Sequence, residues 1–219
     1  MYTGIIECTG TLAEAVRRSR GLAIRVATPP AFRVQERVGI GDSVALSGVC
    51  VTATAVDRGG FAADISAETL ELTCFGFYRP GQPLNLELPC TPGTHLGGHI
   101  VQGHVDGIGE IVALQELGEA MNVQVRAPRE LLRYIALKGS ITVDGASLTV
   151  NALEDDRFRL TLIPHTMQTL AFSCWRSGWR VNLEVDVLAR YLERLLGLDR
   201  DGAAAGGGIT YQKLIENGF

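Results

Sequence analysis

Polar side chains recur at matching places on otherwise apolar stretches of this 219-residue chain. One group is Ser43, Ser47, Cys50 and Thr52 within SVALSGVCVT; the other is Ser140, Asp144, Ser147 and Thr149 within SITVDGASLT. Side chains alternate along an extended strand, so Cys50 shares a face with Thr52, and Ser147 with Thr149. Strand hydroxyls commonly bond nearby backbone. Recurrence at equivalent points favours a ligand role, since paired hydroxyls at a barrel mouth can hydrogen-bond a heterocycle rich in donors and acceptors.

The recurrence belongs to a tandem duplication. Residues 41–88 align without a gap onto 138–185, matching Ser43 to Ser140, Gly48 to Gly145, Thr52 to Thr149, Phe61 to Phe158 and Asn85-Leu86-Glu87 to Asn182-Leu183-Glu184. The opening repeats as well, with Gly4-Ile5-Ile6-Glu7 and Gly10 matching Gly103-His104-Val105-Asp106 and Gly109. A period this long means two folded units rather than a solenoid, whose repeats run roughly 20–50 residues. It implies two similar pockets.

The copies differ where chemistry would sit. His104 stands where the first copy has Ile5, Asp144 where it has Ser47, Ser147 where it has Cys50, Lys138 where it has Gly41 and His165 where it has Glu68. The second half therefore holds more groups able to move protons or bind charge. Each has a plainer reading: His104 as a structural histidine, Lys138 as a solvated turn residue, Asp186 as a helix cap.

Other chemistries fit poorly. His95, His99 and His104 suggest a ligand cluster, but residues five apart on a strand point to opposite faces, which separates His99 from His104. No Cys or carboxylate pattern completes a zinc site, and no metal is expected. Gly107-Ile108-Gly109 reads as part of a turn rather than a dinucleotide fingerprint, because no helix follows. A net charge of −4 gives no electrostatic footprint for nucleic acid. No apolar run reaches the roughly 18 residues that span a bilayer, and the opening lacks a secretory pattern. Five cysteines without a CxxC pair suit a reducing cytoplasm.

The elements that must position these residues are mostly strands. Segments 21–28, 43–49, 51–56 and 61–65 are short, β-branched and punctuated by Gly, Asp or Pro, with partners at 120–127, 140–145, 148–153 and 158–163. About six strands per half suggest a small antiparallel barrel. Helical turns are expected at 29–32 and 128–131, and at 66–73 and 164–171, with a linker at 88–98. After Asp186, residues Val187, Leu188, Tyr191, Leu192, Leu195 and Leu196 form an apolar helical stripe ended by Gly197. A linker at 202–208 and a short closing helix follow.

Several stretches, in order, resemble one known family: Met1-Tyr2-Thr3-Gly4-Ile5-Ile6, GVCVT (48–52), GGHIVQGHVDG (97–107), KGSITVDGASLTV (138–150), LIPHT (162–166), VNLEVD (181–186) and the closing ENGF. The family is riboflavin synthase of the single-polypeptide type, and the resemblance covers the whole chain. It implies an all-β fold of two tandem six-stranded antiparallel Greek-key barrels, residues 1–95 and 96–186, plus a C-terminal α-helix and tail, 187–219, that assembles a homotrimer. Each barrel would bind one 6,7-dimethyl-8-ribityllumazine, and the active site would form between the N-terminal barrel of one subunit and the C-terminal barrel of its neighbour. No cofactor, nucleic acid or membrane is implied, the location is cytoplasmic, and association with a lumazine synthase shell stays open.

By motif position the first pocket uses Gly4, Ile5, Ile6, Cys50, Val51, Thr52, Asp64, Ile65, Ser66, Ala67, Glu68 and Thr69. The second uses Gly103, His104, Val105, Lys138, Ser147, Leu148, Thr149, Ile163, Pro164, His165, Thr166, Met167 and Gln168. Ser43, Cys50, His104, Asp144, Ser147, Thr149 and Asp186 match polar positions discussed as catalytic in the family. One departure is Tyr2, where the family usually has Phe; the ring remains, but a buried phenol needs a partner.

The implied reaction moves a four-carbon unit from one lumazine to its twin, giving riboflavin and 5-amino-6-(D-ribitylamino)uracil, the last step of riboflavin biosynthesis. It requires one C7 methyl to be deprotonated and the other ring activated toward a nucleophile. Holding two flat rings face to face replaces a rare bimolecular encounter. Ser147, Thr149 and backbone N–H groups can stabilise the anion, His104 is the candidate for proton transfer, and Ser43, Cys50 or Asp186 can bind or generate the nucleophile. Two other classes compete. A non-catalytic lumazine- or flavin-binding antenna protein shares the double-barrel fold, but those relatives lose second-pocket polar residues, and His104, Ser147, Thr149 and Asp186 are all present here. A flavin-dependent oxidoreductase module would need a nicotinamide-binding βαβ domain, for which no room remains.

Overall fold

A computed structural model describes residues 1–197. The first half contributes β1 (Cys8–Arg18), β2 (Gly21–Ala27), α1 (Val34–Arg37), β3 (Ser43–Leu46), β4 (Val49–Asp57), β5 (Gly60–Ser66), α2 (Ala67–Leu72) and β6 (Pro83–Glu87). The second contributes β7 (Gly107–Leu117), β8 (Ala120–Arg126), α3 (Arg129–Leu132), β9 (Ser140–Val143), β10 (Ala146–Leu153), β11 (Arg157–Leu162), α4 (Pro164–Thr169) and β12 (Trp179–Val185). Each half closes into a six-stranded antiparallel barrel. The cyclic orders, β1-β2-β5-β4-β3-β6 and β7-β8-β11-β10-β9-β12, are the same order moved along by one repeat. Closure leaves no unpaired edge.

The duplication extends to irregularities. Register shifts fall between Leu12 and Glu14 and between Ile111 and Ala113, and again between Ala53 and Ala55 and between Val150 and Ala152. Such bulges bend a strand and tighten its twist, which a small barrel needs at its corners. The first core gathers Leu12, Val26, Phe61 and Leu86; the second gathers Ile111, Val125, Phe158 and Leu183, the equivalent positions. Phe61 and Phe158 are buried at 0% and 1% exposure, so truncation of either to alanine is expected to cost about 3–5 kcal/mol.

The segment Gly107-Ile108-Gly109, read above as part of a turn, is the start of β7. Its glycines hide the strand signal for a packing reason. A Cβ on Gly109 would lie 2.8 Å from Leu183 Cδ1, and one on the equivalent Gly10 would lie 2.8 Å from the Ala27 carbonyl oxygen. Both barrels need a missing side chain where the strand crosses its core.

The two barrels form one compact unit, Met1–Asp186. The remaining described element is α5 (Val187–Leu196), which stops at Gly197 in the left-handed region, φ +63°. Its Leu188, Tyr191, Leu192 and Leu195 follow one another at helical spacing and are exposed. No described helix is long and apolar enough to cross a membrane. The linker at 202–208 and the closing helix expected from the sequence lie outside the described residues.

Candidate active site

The barrels meet through two tight turns, Ser47-Gly48 and Asp144-Gly145. Ser47 and Asp144 have φ +44° and +47°, and both glycines have φ +83°. Positive φ at both central residues is the primed-turn geometry that suits a two-residue hairpin. The turns sit back to back: a Cβ on Gly48 would lie 2.8 Å from Gly145 N, and one on Gly145 would lie 2.7 Å from Gly48 N.

Two asparagines lock this contact with mirrored bonds. Asn85 Nδ2 donates to the Asp144 carbonyl and Asn182 Nδ2 donates to the Ser47 carbonyl, each at 2.8 Å. Asn85 Oδ1 accepts from Ala171 N–H and Asn182 Oδ1 from Cys74 N–H, each at 2.7 Å. The repeated Asn-Leu-Glu of the sequence thus supplies the barrel junction as well as strand pairing.

Its glutamates do a second job. Buried Glu87 accepts from Thr3 N–H and the Thr3 hydroxyl, both at 2.6 Å, and from Gly4 N–H at 3.0 Å. Glu184 accepts from Gln102, Gly103 and His104 N–H at 2.6, 2.9 and 3.1 Å. Each carboxylate holds the loop of its own half. Each loop also reaches across: Gly4 C=O accepts from Ser147 N–H at 2.8 Å, and Gly103 C=O accepts from Cys50 N–H at 2.9 Å. Tyr2 and Val101 join the loops as a β-bridge.

This exchange sets residues that motif position assigns to different pockets beside one another. Gly4 and Ile6 lie with second-barrel residues as well as their own, and Ile6 packs with Ala146 and Leu170. Gly103 meets Cys50, and Val105 packs against the first core. Ile5 is 49% exposed and His104 is exposed. The sequence places two different side chains on matched, glutamate-anchored loops that open to solvent.

The remaining candidates divide clearly. Ser43 and Cys50 are half-buried, Thr52 is exposed, and Ser43 pairs in register with Thr52. Ser147 and Leu148 are half-buried, Thr149 is exposed, and Lys138 is exposed in a left-handed turn, φ +64°, where the first copy uses Gly41. Val51 and Ile65 point into the first core. Asp64, Ala67 and Glu68 are exposed, Ser66 caps α2 by accepting from Thr69 N–H, and His165 and Gln168 on α4 are exposed with Ile163 before them; Pro164, Thr166 and Met167 are half-buried.

Asp144 stands apart from the other polar candidates. It is buried in the junction, where Oδ1 accepts from Asn182 N–H at 2.8 Å and Oδ2 from Trp175 Nε1–H at 3.3 Å. Burial raises its carboxyl to about 7, against the two hydrogen bonds. Burial likewise raises Glu184 to about 7 and pushes Glu87 up. Alternation along a strand identifies a face but does not tell a pocket from an interface.

His99, weighed above only as a metal ligand, is buried beside Ser147. It lies outside any named strand, so the opposite-faces argument that separated it from His104 does not hold. Its Nδ1 is 2.7 Å from Ser147 Oγ and its Nε2 is 3.4 Å from Thr142 Oγ1. Burial lowers its pKa while Asp186 opposes that shift, which favours a neutral ring at neutral pH. The available signal was the pair of glycines before it: a Cβ on Gly98 would lie 2.7 Å from Ser147 Cβ.

The lumazine binding domain model matches residues 3–89 and again 102–186. Over all 219 residues the chain is 42% identical to riboflavin synthase of Photobacterium phosphoreum, covering 99% of that protein. The chain belongs to the riboflavin synthase family. Riboflavin synthase of Mycobacterium tuberculosis is 45% identical over 90% of this chain and 98% of its own length, and that of Bacillus subtilis is 36% identical over the whole of both. Among solved structures, LumP complexed with riboflavin superposes with a TM-score of 0.78 at 20% identity, covering 84% of this chain and 99% of that one. That likeness shows the fold. The two duplicated barrels are therefore this chain's version of the riboflavin synthase framework.

Proposed function

We propose that this chain catalyses the dismutation of two 6,7-dimethyl-8-ribityllumazine molecules to riboflavin and 5-amino-6-(D-ribitylamino)uracil. The observation that carries the reading is full-length identity to riboflavin synthases together with two lumazine binding domains. The duplication suits a reaction that consumes two copies of one substrate. His104, on the loop held by Glu184, serves proton transfer, a role with no counterpart at Ile5. Ser147, Thr149, Ser43 and Cys50 orient the rings and stabilise charge as it develops. Asp186 acts near His99, and Asp144 acts on the shape of the junction.

The working form is a homotrimer in the cytoplasm. Exposed Leu188, Tyr191, Leu192 and Leu195 on α5 support an association role for that helix. Loops that leave Ile5 and His104 in solvent support a site completed by a neighbouring subunit. Incubating the pure protein with the lumazine alone tests the function. Riboflavin should accumulate to half the molar amount of substrate consumed. Tight fluorescent binding without riboflavin would overturn it in favour of an antenna protein, and a monomer by light scattering at assay concentration would overturn the trimer.

A further inference from the structure

Tyr2 is fully buried, at 0% exposure, and its phenol needs a partner. That partner is the Cys50 thiol: Tyr2 Oη donates to Cys50 Sγ at 3.1 Å. The Ser43 hydroxyl lies near the same phenol and acts on it electrostatically. Tyr2 thus links two side chains that face the candidate site from adjacent, paired strands.

The ring is held from several directions. Tyr2 N–H donates to the Val101 carbonyl at 2.6 Å and Tyr2 C=O accepts from Val101 N–H at 3.1 Å. The next residue, Thr3, is fixed by Glu87. Gly103 leaves room for the ring and the thiol side by side, since a Cβ there would lie 2.9 Å from Tyr2 Cε2 and 2.8 Å from Cys50 Cβ. Burial also drives the phenol's pKa up, so it stays protonated and remains a donor at neutral pH.

The second copy lacks this device. Val101 stands opposite Tyr2 in the bridge and its side chain carries no polar atom. Ser147, the counterpart of Cys50, is met instead by His99, whose Nδ1 faces the hydroxyl.

We infer that Tyr2 is a positioning residue, its hydroxyl fixing the Cys50 thiol and the Ser43 hydroxyl in one arrangement at the first-barrel half of the site. The inference rests on the proposed function for its kinetic consequence, though not for its chemical one. A phenol donating to sulfur holds the side chain in one rotamer and stabilises negative charge developing there.

The test compares wild type with Tyr2→Phe, which keeps the ring and its packing and removes only the hydroxyl. Iodoacetamide labelling, mapped to Cys50 by peptide mass spectrometry, should slow by about three- to tenfold at fixed pH, the scale of one lost hydrogen bond. Lumazine turnover should fall in kcat by a similar factor of about three to ten with KM nearly unchanged, because ring binding is retained. Ser43→Ala should slow labelling less than Tyr2→Phe and add little in the Tyr2→Phe background, since it acts through the phenol. A Cys50 labelling rate equal in wild type and Tyr2→Phe, or no labelling in either, would overturn the positioning role. If Cys50→Ala and Ser43→Ala both keep full turnover, the assignment of this site fails instead, and the labelling comparison still decides the role of Tyr2.

Discussion

The two turns at the barrel junction have nearly the same backbone and different chemistry. In the first, Ser47 accepts from Asn85 N–H at 3.2 Å, beside the Tyr78 phenol, which accepts from Asn182 Nδ2 at 3.2 Å. In the second, Asp144 accepts from Asn182 N–H and from the Trp175 indole. Tyr78 and Trp175 are equivalent positions, so the pair has changed together: hydroxyl with phenol on one side, carboxylate with indole on the other. An indole N–H can only donate, which suits a carboxylate that can only accept when ionised. The glycines, the asparagines and the crossed bonds are unchanged. Geometry is kept by the backbone and by Asn, and the polar partners are free to diverge provided they diverge as pairs.

The largest effect should come from breaking what the copies share. Gly48→Ala or Gly145→Ala forces a Cβ into the facing turn's backbone at positive φ, and should cost about 3–5 kcal/mol of stability in urea denaturation. Gly41→Ala, also at positive φ but with nothing within 4 Å, should cost only about 1–2 kcal/mol. Equal losses at Gly41 and Gly48 would mean that the close approach of the turns matters little.

The loop difference should show in rate rather than stability. His104→Ala is expected to lower kcat by about a hundredfold, while Ile5→Ala changes kcat by less than about tenfold. An unchanged kcat for His104→Ala would end the proposed proton-transfer role.

A third comparison uses pH. Asp144 and Glu184 are both raised to about 7 by burial, so the folded state holds protons that the unfolded chain releases near its ordinary carboxyl range. Their contribution is complete below the unfolded values and is lost as pH rises toward about 7. Stability should therefore fall by roughly 2–4 kcal/mol between about pH 4 and pH 7 through Asp144, and Asp144→Ser should flatten that slope. A slope identical in the variant would refute the assignment. The smallest expected effect is a coupling: Asp144→Ser and Trp175→Tyr together should cost about 1 kcal/mol less than the two separate losses summed, because the pair recreates the first-copy arrangement.

Much of this was legible in the sequence because duplication tests itself. A strand signal at 43–49 gains weight from its partner at 140–145, and both are real although the structure ends each strand at the turn. What escaped has identifiable causes. The first strand of the second barrel was masked by Gly107 and Gly109, which are glycine for packing rather than for turning. The burial of Asp144 at the junction escaped because polarity on an apolar strand looks the same at a pocket and at an interface. The alternation that would separate His99 from His104 does not apply, because no strand contains His99. Exchange of loops between the barrels left no local trace, since it depends on contacts such as Gly4 to Ser147 between residues far apart in the chain.

The crossed bonds at the junction repeat under a two-fold rotation, which is how two separate identical subunits usually meet. Here both partners belong to one polypeptide. In a true pair of identical chains, an aspartate at one turn would bring a second at the other, and two buried carboxylates would face each other across touching glycines and oppose ionisation. A continuous chain is released from that constraint. It can carry one acid at a symmetric contact, and so tolerate a charge distribution that identical partners would have to duplicate.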